Sequence, residues 1–412
     1  MTTTGGTASG PTFSIVIPYR RRADNLRLVF ESLAEQTLPR DRFEVVLGVL
    51  EDSEEHGEEY LAVCREFTGR LNVLSVLSDK PWQVGYARNL ALRQSTGDVL
   101  VLLDADVVLP PSALAALAER HAAGLGEGED AVCTVGQLID YDNNTSDVDS
   151  VVVRPFEHYR RLLADLDGAG EVRLDARLNT PHVIPWSFAW TALIALPRRL
   201  VERHDLWFDL NFHGYGVEDL EWAYRISATG TPVVMAPDLF GIHLPHPRST
   251  ASNRATEDVN YRYFLRKWPS VDVELACAFG DFEANAHLHP VLDDVREATG
   301  SDDASLAVVS GTVDGVSTLV VGAVVDARGR FEDPGVAAIF DATPEPEVLP
   351  LIGLRLPWPD DGVDECRVLP PVERLGPTYR DRVFAETRRV ARLVVAGEAA
   401  DHLADHPAGI RA

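Results

Sequence analysis

Only four cysteines occur, Cys64, Cys133, Cys277 and Cys366, far apart and with no CxxC pair. This scarcity excludes a disulfide framework and a cysteine-built zinc site, and it reads as reduced thiols in a cytoplasmic protein. No apolar run reaches the ~18 residues that a transmembrane helix requires. The longest, around Ser317 to Val325, is strand-sized. The opening MTTTGGTASGPT lacks the basic and apolar regions of a signal peptide, so residues 1–12 are expected to form a flexible tail. Cations are short as well: 38 Lys and Arg face 64 Asp and Glu, for a formal net charge of −26. That balance disfavours nucleic acid or an anionic membrane as partner, while leaving carboxylates to hold a divalent cation locally. There is no internal repeat and no long low-complexity tract.

What is present is a globular composition. Of 412 residues 45% are hydrophobic and 25% charged, and the length predicts a large catalytic unit with a smaller appendage. Phe13 to Pro18 is a β-rich apolar run, followed by a basic turn and then by Leu26, Val29, Phe30 and Leu33 at helical spacing. Phe43 to Leu50 predicts a second strand ending at Glu51 and Asp52, Glu58 to Thr68 a helix, and Leu71 to Leu77 a third strand. Gly85 to Gln94 reads as a helix and Val99 to Leu103 as a fourth strand ending in Asp104. The alternation implies an α/β fold whose parallel sheet is covered by helices on both faces. In such sheets ligands bind beyond the carboxyl ends of the strands, where Glu51, Asp52, Asp104 and Asp106 fall. Pro110 and Pro111 start a helix running through Ala122. Residues 124–149 read as loops around one strand near Ala131 to Leu138, and Tyr261 to Trp268 as a closing helix. The polar stretch 297–304 is the expected boundary between a domain over 13–296 and an appendage over 304–412.

The strongest local signal is LLDADVVLP at 102–110. Two carboxylates at i and i+2 after an apolar strand project to one side, and such a pair can share Mg²⁺ or Mn²⁺ with the phosphates of a nucleotide. The plainer reading is an acidic turn before a helix.

Three blocks in order, SIVIPYRRRADNL at 14–26, GYARNLALRQSTGDVLVLLDAD at 85–106 and GYGVEDLEWAYRI at 214–226, resemble the family 2 glycosyltransferases, whose nucleotide-sugar-binding fold is called GT-A. The resemblance implies a mixed GT-A sheet, with Asp106 ligating the metal and Asp104 near the donor's ribose and sugar or sharing the metal. It implies that Pro18, Tyr19 and Arg20 cradle the nucleoside and that Glu51 or Asp52 meets the base and ribose. The family's Asp-Asp-Gly-Ser is here Glu-Asp-Ser-Glu, so the choice between those two stays open. Arg88 and Asn89 would face the nucleotide, or else form a solvated helix face.

HGYGVEDLEWAYRI resembles the Gly-Trp-Gly-x-Glu-Asp motif of the galactosyltransferase and chondroitin-polymerase branches, with Tyr215 in place of Trp. By that resemblance Asp219 is the general base and Glu218 binds the acceptor or orients its neighbour; the bland alternative is two ordinary first-turn acids. Tyr215 can stack on a sugar ring. His243 of GIHLPHP stands where related enzymes carry a metal-binding His, with His246 as competitor. Trp186, Phe188 and Trp190 alternate across PWSFAW; on a strand they would share one face, for core packing or stacking, and Trp186 is expected near the acceptor.

Beyond residue 304, strands are expected at Leu306 to Val309, Thr318 to Val325 and Val336 to Phe340, and a helix over Tyr379 to Val395. Residues 354–375 and 383–393 resemble the latter half of class I methyltransferases, but VVGAVVDARGRF lacks the glycine pattern of their donor loop. A degenerate Rossmann-like module for packing, dimerisation or acceptor docking is therefore expected. The resulting expectation is an inverting transfer of a hexose or N-acetylhexosamine from a UDP-sugar to a carbohydrate, peptide or small-molecule hydroxyl. A retaining transferase, a nucleotidyltransferase or a silent carbohydrate-binding scaffold are the alternatives.

Overall fold

Successive residues of a strand point to opposite faces, and along Phe13–Tyr19 (β1) and Phe43–Leu50 (β2) nearly every residue is buried, which is why both runs are continuously apolar. The computed structural model describes residues 10–51, 54–122, 131–139, 153–169, 173–247 and 250–396. They fall into two compact units, one of 1–179 with 185–257 and one of 180–184 with 258–412.

In the first unit β1 leads into α1 (Ala23–Ala34), β2 into α2 (Glu54–Glu66) and β3 (Val73–Ser78) into α3 (Val84–Leu92). β4 (Val99–Leu103) is followed by the two-residue β5 (Val107–Val108) and α4 (Ala113–His121). Then come β6 (Cys133–Ile139), α5 (Phe156–Gly168), β7 (Leu193–Pro197), α6 (Arg198–Arg203), α7 (Glu218–Ala228), β8 (Val233–His243) and α8 (Thr250–Lys267), inside which the division falls.

The eight strands are ordered β3-β2-β1-β4-β7-β6-β8-β5. The first four are parallel, as the strand and helix alternation predicts. β7 runs antiparallel to β4 and β6, and β5 antiparallel to β8, so the sheet is mixed and the wholly parallel reading holds for one half only. Helical crossovers enforce parallel neighbours among the first strands, whereas the later strands are joined by loops and short turns that carry no such constraint. Phe13, Ile15, Phe43 and Val45 face a core shared with Leu26, Phe30, Val63 and Leu117 from α1, α2 and α4. On the other face α3 lies directly on β2, and a Cβ at Gly48 would sit 1.8 Å from the Ala87 carbonyl oxygen.

The second unit holds α9 (Val271–Phe279), α10 (Leu288–Thr299), β9 (Ala304–Val313), β10 (Val316–Asp326), α11 (Pro334–Ala338), β11 (Glu347–Leu349), β12 (Val363–Val368), α12 (Pro377–Val390) and β13 (Ala391–Ala396). Its sheet order is β11-β9-β10-β12-β13. β9 and β10 form a hairpin through Asp314 and Gly315, at φ 50° and 78°, the left-handed pair that a tight two-residue turn demands. After β10, Asp326 accepts the Arg328 and Arg330 N–H groups at 2.9 and 3.0 Å, so VVGAVVDARGRF is a strand and a tight turn. The strand expected at Val336 to Phe340 is instead α11, because Asp333 caps Gly335 at 2.8 Å and Pro334 fits the first turn. The last helix stops at Val390 and its expected end pairs with β12 as β13.

The division falls ahead of the polar break at 297–304. α9 and α10 are tied into the second unit: Glu274 accepts N–H groups of Ile352, Gly353 and Leu354 at 2.8, 2.7 and 2.6 Å, and Asp294 that of Gly376 at 2.7 Å. No helix among the described residues is long and apolar enough to cross a membrane.

Gly48→Ala should drive α3 off β2 and cost about 2 kcal/mol or more; a wild-type denaturant midpoint would show that the helix moves freely. His121, at the end of α4, is 1% exposed, and burial, then Arg120, pushes its imidazole down to about 4. Below pH 6.5 the unfolded chain takes a proton that the fold refuses until about pH 4, so stability should fall through that window, by roughly 2 kcal/mol at pH 5 from this group. Chemical denaturation of His121→Gln at pH 7 and 5 should show a correspondingly smaller loss.

Candidate functional site

The turn between β4 and β5 carries Asp106. Val107 pairs with His243 and Val108 with Ile242, and the Leu244 N–H donates to the Asp106 carbonyl at 2.7 Å, so this short ladder fixes the end of β8 beside the aspartate. The loop that follows is held from α1, where the Asn25 amide donates to the Pro245 carbonyl at 3.3 Å. His243 Nε2 lies 3.8 Å from Asp106 Oδ1 and His246 Nε2 3.4 Å from Oδ2. One ligand atom from each of the three falls within 4.8 Å of the others. Both imidazoles weighed as competitors therefore reach the same carboxylate.

Asp106 is 1% exposed, and its Oδ1 has no hydrogen-bond donor among the described residues. Burial would raise its pKa, but the Arg22 guanidinium, which donates to Oδ2, and the two imidazoles hold it below the ordinary value. Burial and Arg22 push His246 down to about 4 against the pull of Asp106, which keeps its imidazole neutral at pH 7 and its lone pair available. One carboxylate, two imidazoles and an orphaned buried oxygen form a donor set that fits a divalent cation; imidazole suits Mn²⁺ better than Mg²⁺, which prefers oxygen.

A second group lies at the end of β4. Arg88, on α3 and 3% exposed, reaches Asp104 Oδ1 at 3.2 Å and Glu218 Oε1 at 2.9 Å, with its guanidinium over the Phe208 ring at 5.3 Å. Asp104, expected also as a metal ligand, is thus paired with an arginine and stands outside the Asp106 triad. Asn89, expected to face the nucleotide, is turned inward: its amide donates to the Phe208 carbonyl at 2.9 Å and accepts the Phe208 N–H at 2.8 Å. It is a structural clamp on the segment that leads to α7.

That segment is tightly wound. Gly214, Gly216 and Val217 have φ of 76°, 88° and 75°, and a Cβ at Gly214 would lie 2.6 Å from Thr256 Cγ2. Left-handed backbone is open to glycine but strained for a β-branched valine. The turn delivers Glu218 and Asp219 to the first turn of α7, Glu218 buried against Arg88 and Asp219 half-buried, its Oδ1 accepting the Leu220 N–H at 2.9 Å. Tyr215 is 46% exposed and its N–H is taken by Thr256 Oγ1 at 3.0 Å.

At the carboxyl ends of β1 and β2, Pro18 and Tyr19 lie within the buried strand, with Tyr19 packed on Tyr60 at 5.1 Å between ring centroids; their side chains belong to the core. Arg20 faces the Trp82 ring at 5.9 Å, and Glu51 Oε1 accepts the Arg21 N–H at 2.6 Å. Asp52 lies outside the described residues.

PWSFAW is not a strand. Pro185–Phe188 is a 3-10 turn, so period-two alternation does not apply. Trp186 is 2% exposed with its ring edge-on to Tyr224 at 5.7 Å, a core position in place of the expected acceptor contact. Sequence reasoning missed Arg22, Asn25 and Trp82; the basic turn after β1 was the only visible hint of the first.

Residues 14–167 match the family described as Glycosyl transferase family 2. The proteins named Validoxylamine A glucosyltransferase of Streptomyces hygroscopicus subsp. jinggangensis (strain 5008) and subsp. limoneus are each 28% identical over 95% of this chain and over 98% and 91% of theirs. The family match and these relatives make the chain a glycosyltransferase with a family 2-like domain of GT-A type. Among solved structures, the mannosyltransferase PcManGT from Pyrobaculum calidifontis in complex with GDP-Man and Mn²⁺ is similar with a TM-score of 0.44 and 20% identity, covering 69% of this chain and 72% of that one.

Arg88→Met should destabilise the fold by about 3 kcal/mol, because it strands two carboxylates, one of them buried. Adding Glu218→Gln should recover part of that loss; a double variant no more stable than the single one would refute the charge-pairing account.

Proposed function

We propose that this glycosyltransferase moves a hexose, with glucose from UDP-glucose the first candidate, onto a hydroxyl of a small polyhydroxylated acceptor, with inversion at the anomeric carbon. The observation that carries the reading is the convergence of Asp106, His243 and His246 on one buried point, with Arg88, Asp104 and Glu218 in a second set of charges at the end of the neighbouring strand. The choice of sugar and of a small acceptor rests on the names of the two relatives that align along nearly the whole chain. An N-acetylhexosamine donor is the neighbouring possibility for the same site.

Asp106, His243 and His246 would hold Mn²⁺ or Mg²⁺. The ion's chemistry is to offset charge on the leaving diphosphate. The chain's own residues do the rest. Arg20, Glu51 and Trp82 surround the place for the nucleoside, and Tyr215, exposed at the turn before α7, offers a ring face to a sugar. Glu218 is committed to Arg88, which leaves Asp219 as the general base. Its carboxylate takes the acceptor's hydroxyl proton as that oxygen bonds to the anomeric carbon and the bond from carbon to the diphosphate oxygen breaks.

Asp219→Asn should lower turnover about 10²- to 10⁴-fold and leave donor affinity within about twofold. Coupled assay of nucleoside diphosphate release and calorimetry with UDP-glucose measure the two. Unchanged turnover would remove Asp219 from the role, and absent binding of any nucleotide sugar would defeat the reading. EDTA should abolish turnover and Mn²⁺ restore it.

A further inference from the structure

Asp106 is the most buried acid of the site, and its charge is balanced within the protein itself. The Nη1 of Arg22 donates to Oδ2, the same oxygen that His246 Nε2 approaches to 3.4 Å, while Oδ1 has no donor among the described residues. The two ends of the ion pair are unequal: the Asp106 side chain is 2% exposed and that of Arg22 is 37% exposed. The carboxylate is fixed by the backbone between β4 and β5, whereas the arginine extends from the residue that precedes α1 and has solvent into which it can swing.

We propose that Arg22 is an exchangeable counter-cation: it neutralises Asp106 when no divalent ion is present, is displaced when one binds, and then turns to the phosphates of the donor. The inference rests on the reading of the triad as a metal site. Two cations cannot share one carboxylate oxygen and the space among Asp106, His243 and His246 without strong mutual repulsion in a site closed to water. The guanidinium is the partner that can leave, and a diphosphate brought in beside the ion gives it a new anion, for which its planar fork is well matched. Metal and nucleotide binding are thereby coupled through one side chain: the ion frees the arginine, and the phosphates hold it away. By reciprocity the nucleotide must strengthen ion binding by the same factor.

The test uses the full chain and four proteins: wild type, Arg22→Gln, Arg22→Lys and Asp106→Asn. Mn²⁺ affinity is read from the magnetic resonance signal of the free ion, with and without UDP, and thermal melting is recorded with and without Mn²⁺. Arg22→Gln should bind Mn²⁺ about tenfold tighter than wild type without nucleotide, a difference of about 1.4 kcal/mol. It should also melt lower without metal, gain more from Mn²⁺, and lose most of the UDP dependence of Mn²⁺ affinity. Arg22→Lys keeps the competing charge and should stay near wild type, which separates loss of charge from local disturbance. If Arg22→Gln binds Mn²⁺ no tighter than wild type while Asp106→Asn abolishes binding, the exchange is refuted and the metal site stands. If wild type, Arg22→Gln and Asp106→Asn all fail to bind Mn²⁺, the metal reading falls and takes the exchange with it.

Discussion

A carboxylate shut away from water has to be neutralised by something fixed in place, and that requirement organises the catalytic unit. Asp106 meets it with Arg22 and two histidines, and Glu218 meets it with Arg88. An unpaired charge in either position would cost several kcal/mol, a large fraction of a domain's net stability. The sheet must therefore deliver cationic partners from distant parts of the chain. The ladder between β5 and β8 does so for the histidines, and the packing of α3 on β2 does so for Arg88.

The second of these supports reaches into the acceptor side. Gly48 lets α3 approach β2 at backbone contact, which places Arg88 under Asp104 and Asn89 against Phe208. Phe208 in turn lies under the guanidinium and stacks on Trp222 of α7 at 4.8 Å. The left-handed turn at Gly214, Gly216 and Val217 is thus held from below, and its strain is borne by a rigid stack. Strain that persists where neighbours over-determine the backbone serves to aim a functional group, here the acids that open α7.

Much of this could be read from residues alone. The first four strands, the DxD turn and the glycine-flanked acids were visible because local periodicity and short-range motifs encode them. Three features were not. The antiparallel half of the sheet depends on which strands meet, and no local pattern states that. Trp186 sits in a 3-10 turn that mimics strand alternation over six residues, so its burial could not be told from exposure. Arg22 stood in a basic turn with Arg20 and Arg21, and nothing in RRR distinguishes the arginine that crosses to Asp106 from the one whose guanidinium faces Trp82. His246 was ranked below His243 because spacing along the chain favoured one; the loop's attachment to Asn25 brings both to the carboxylate.

The overall charge of −26 is at odds with a doubly charged diphosphate ligand. Screening resolves part of the conflict, since charges more than about 8 Å away count for little at physiological salt. The remainder is local. Arg20, Arg21 and Arg22 follow β1 and Arg88 lies under β4, so four of the 38 cationic residues stand at the carboxyl ends of two adjacent parallel strands. One is locked under the acids of α7, one faces an indole, and one is spent on Asp106 for as long as no other cation is there. An acidic protein of this kind attracts its donor only at close range, and a divalent ion that takes over the neutralising of Asp106 adds its own positive charge and also returns an arginine to the site. On that account the ion contributes more to donor binding than its direct bonds to phosphate, because the protein's own cation becomes usable only when it arrives.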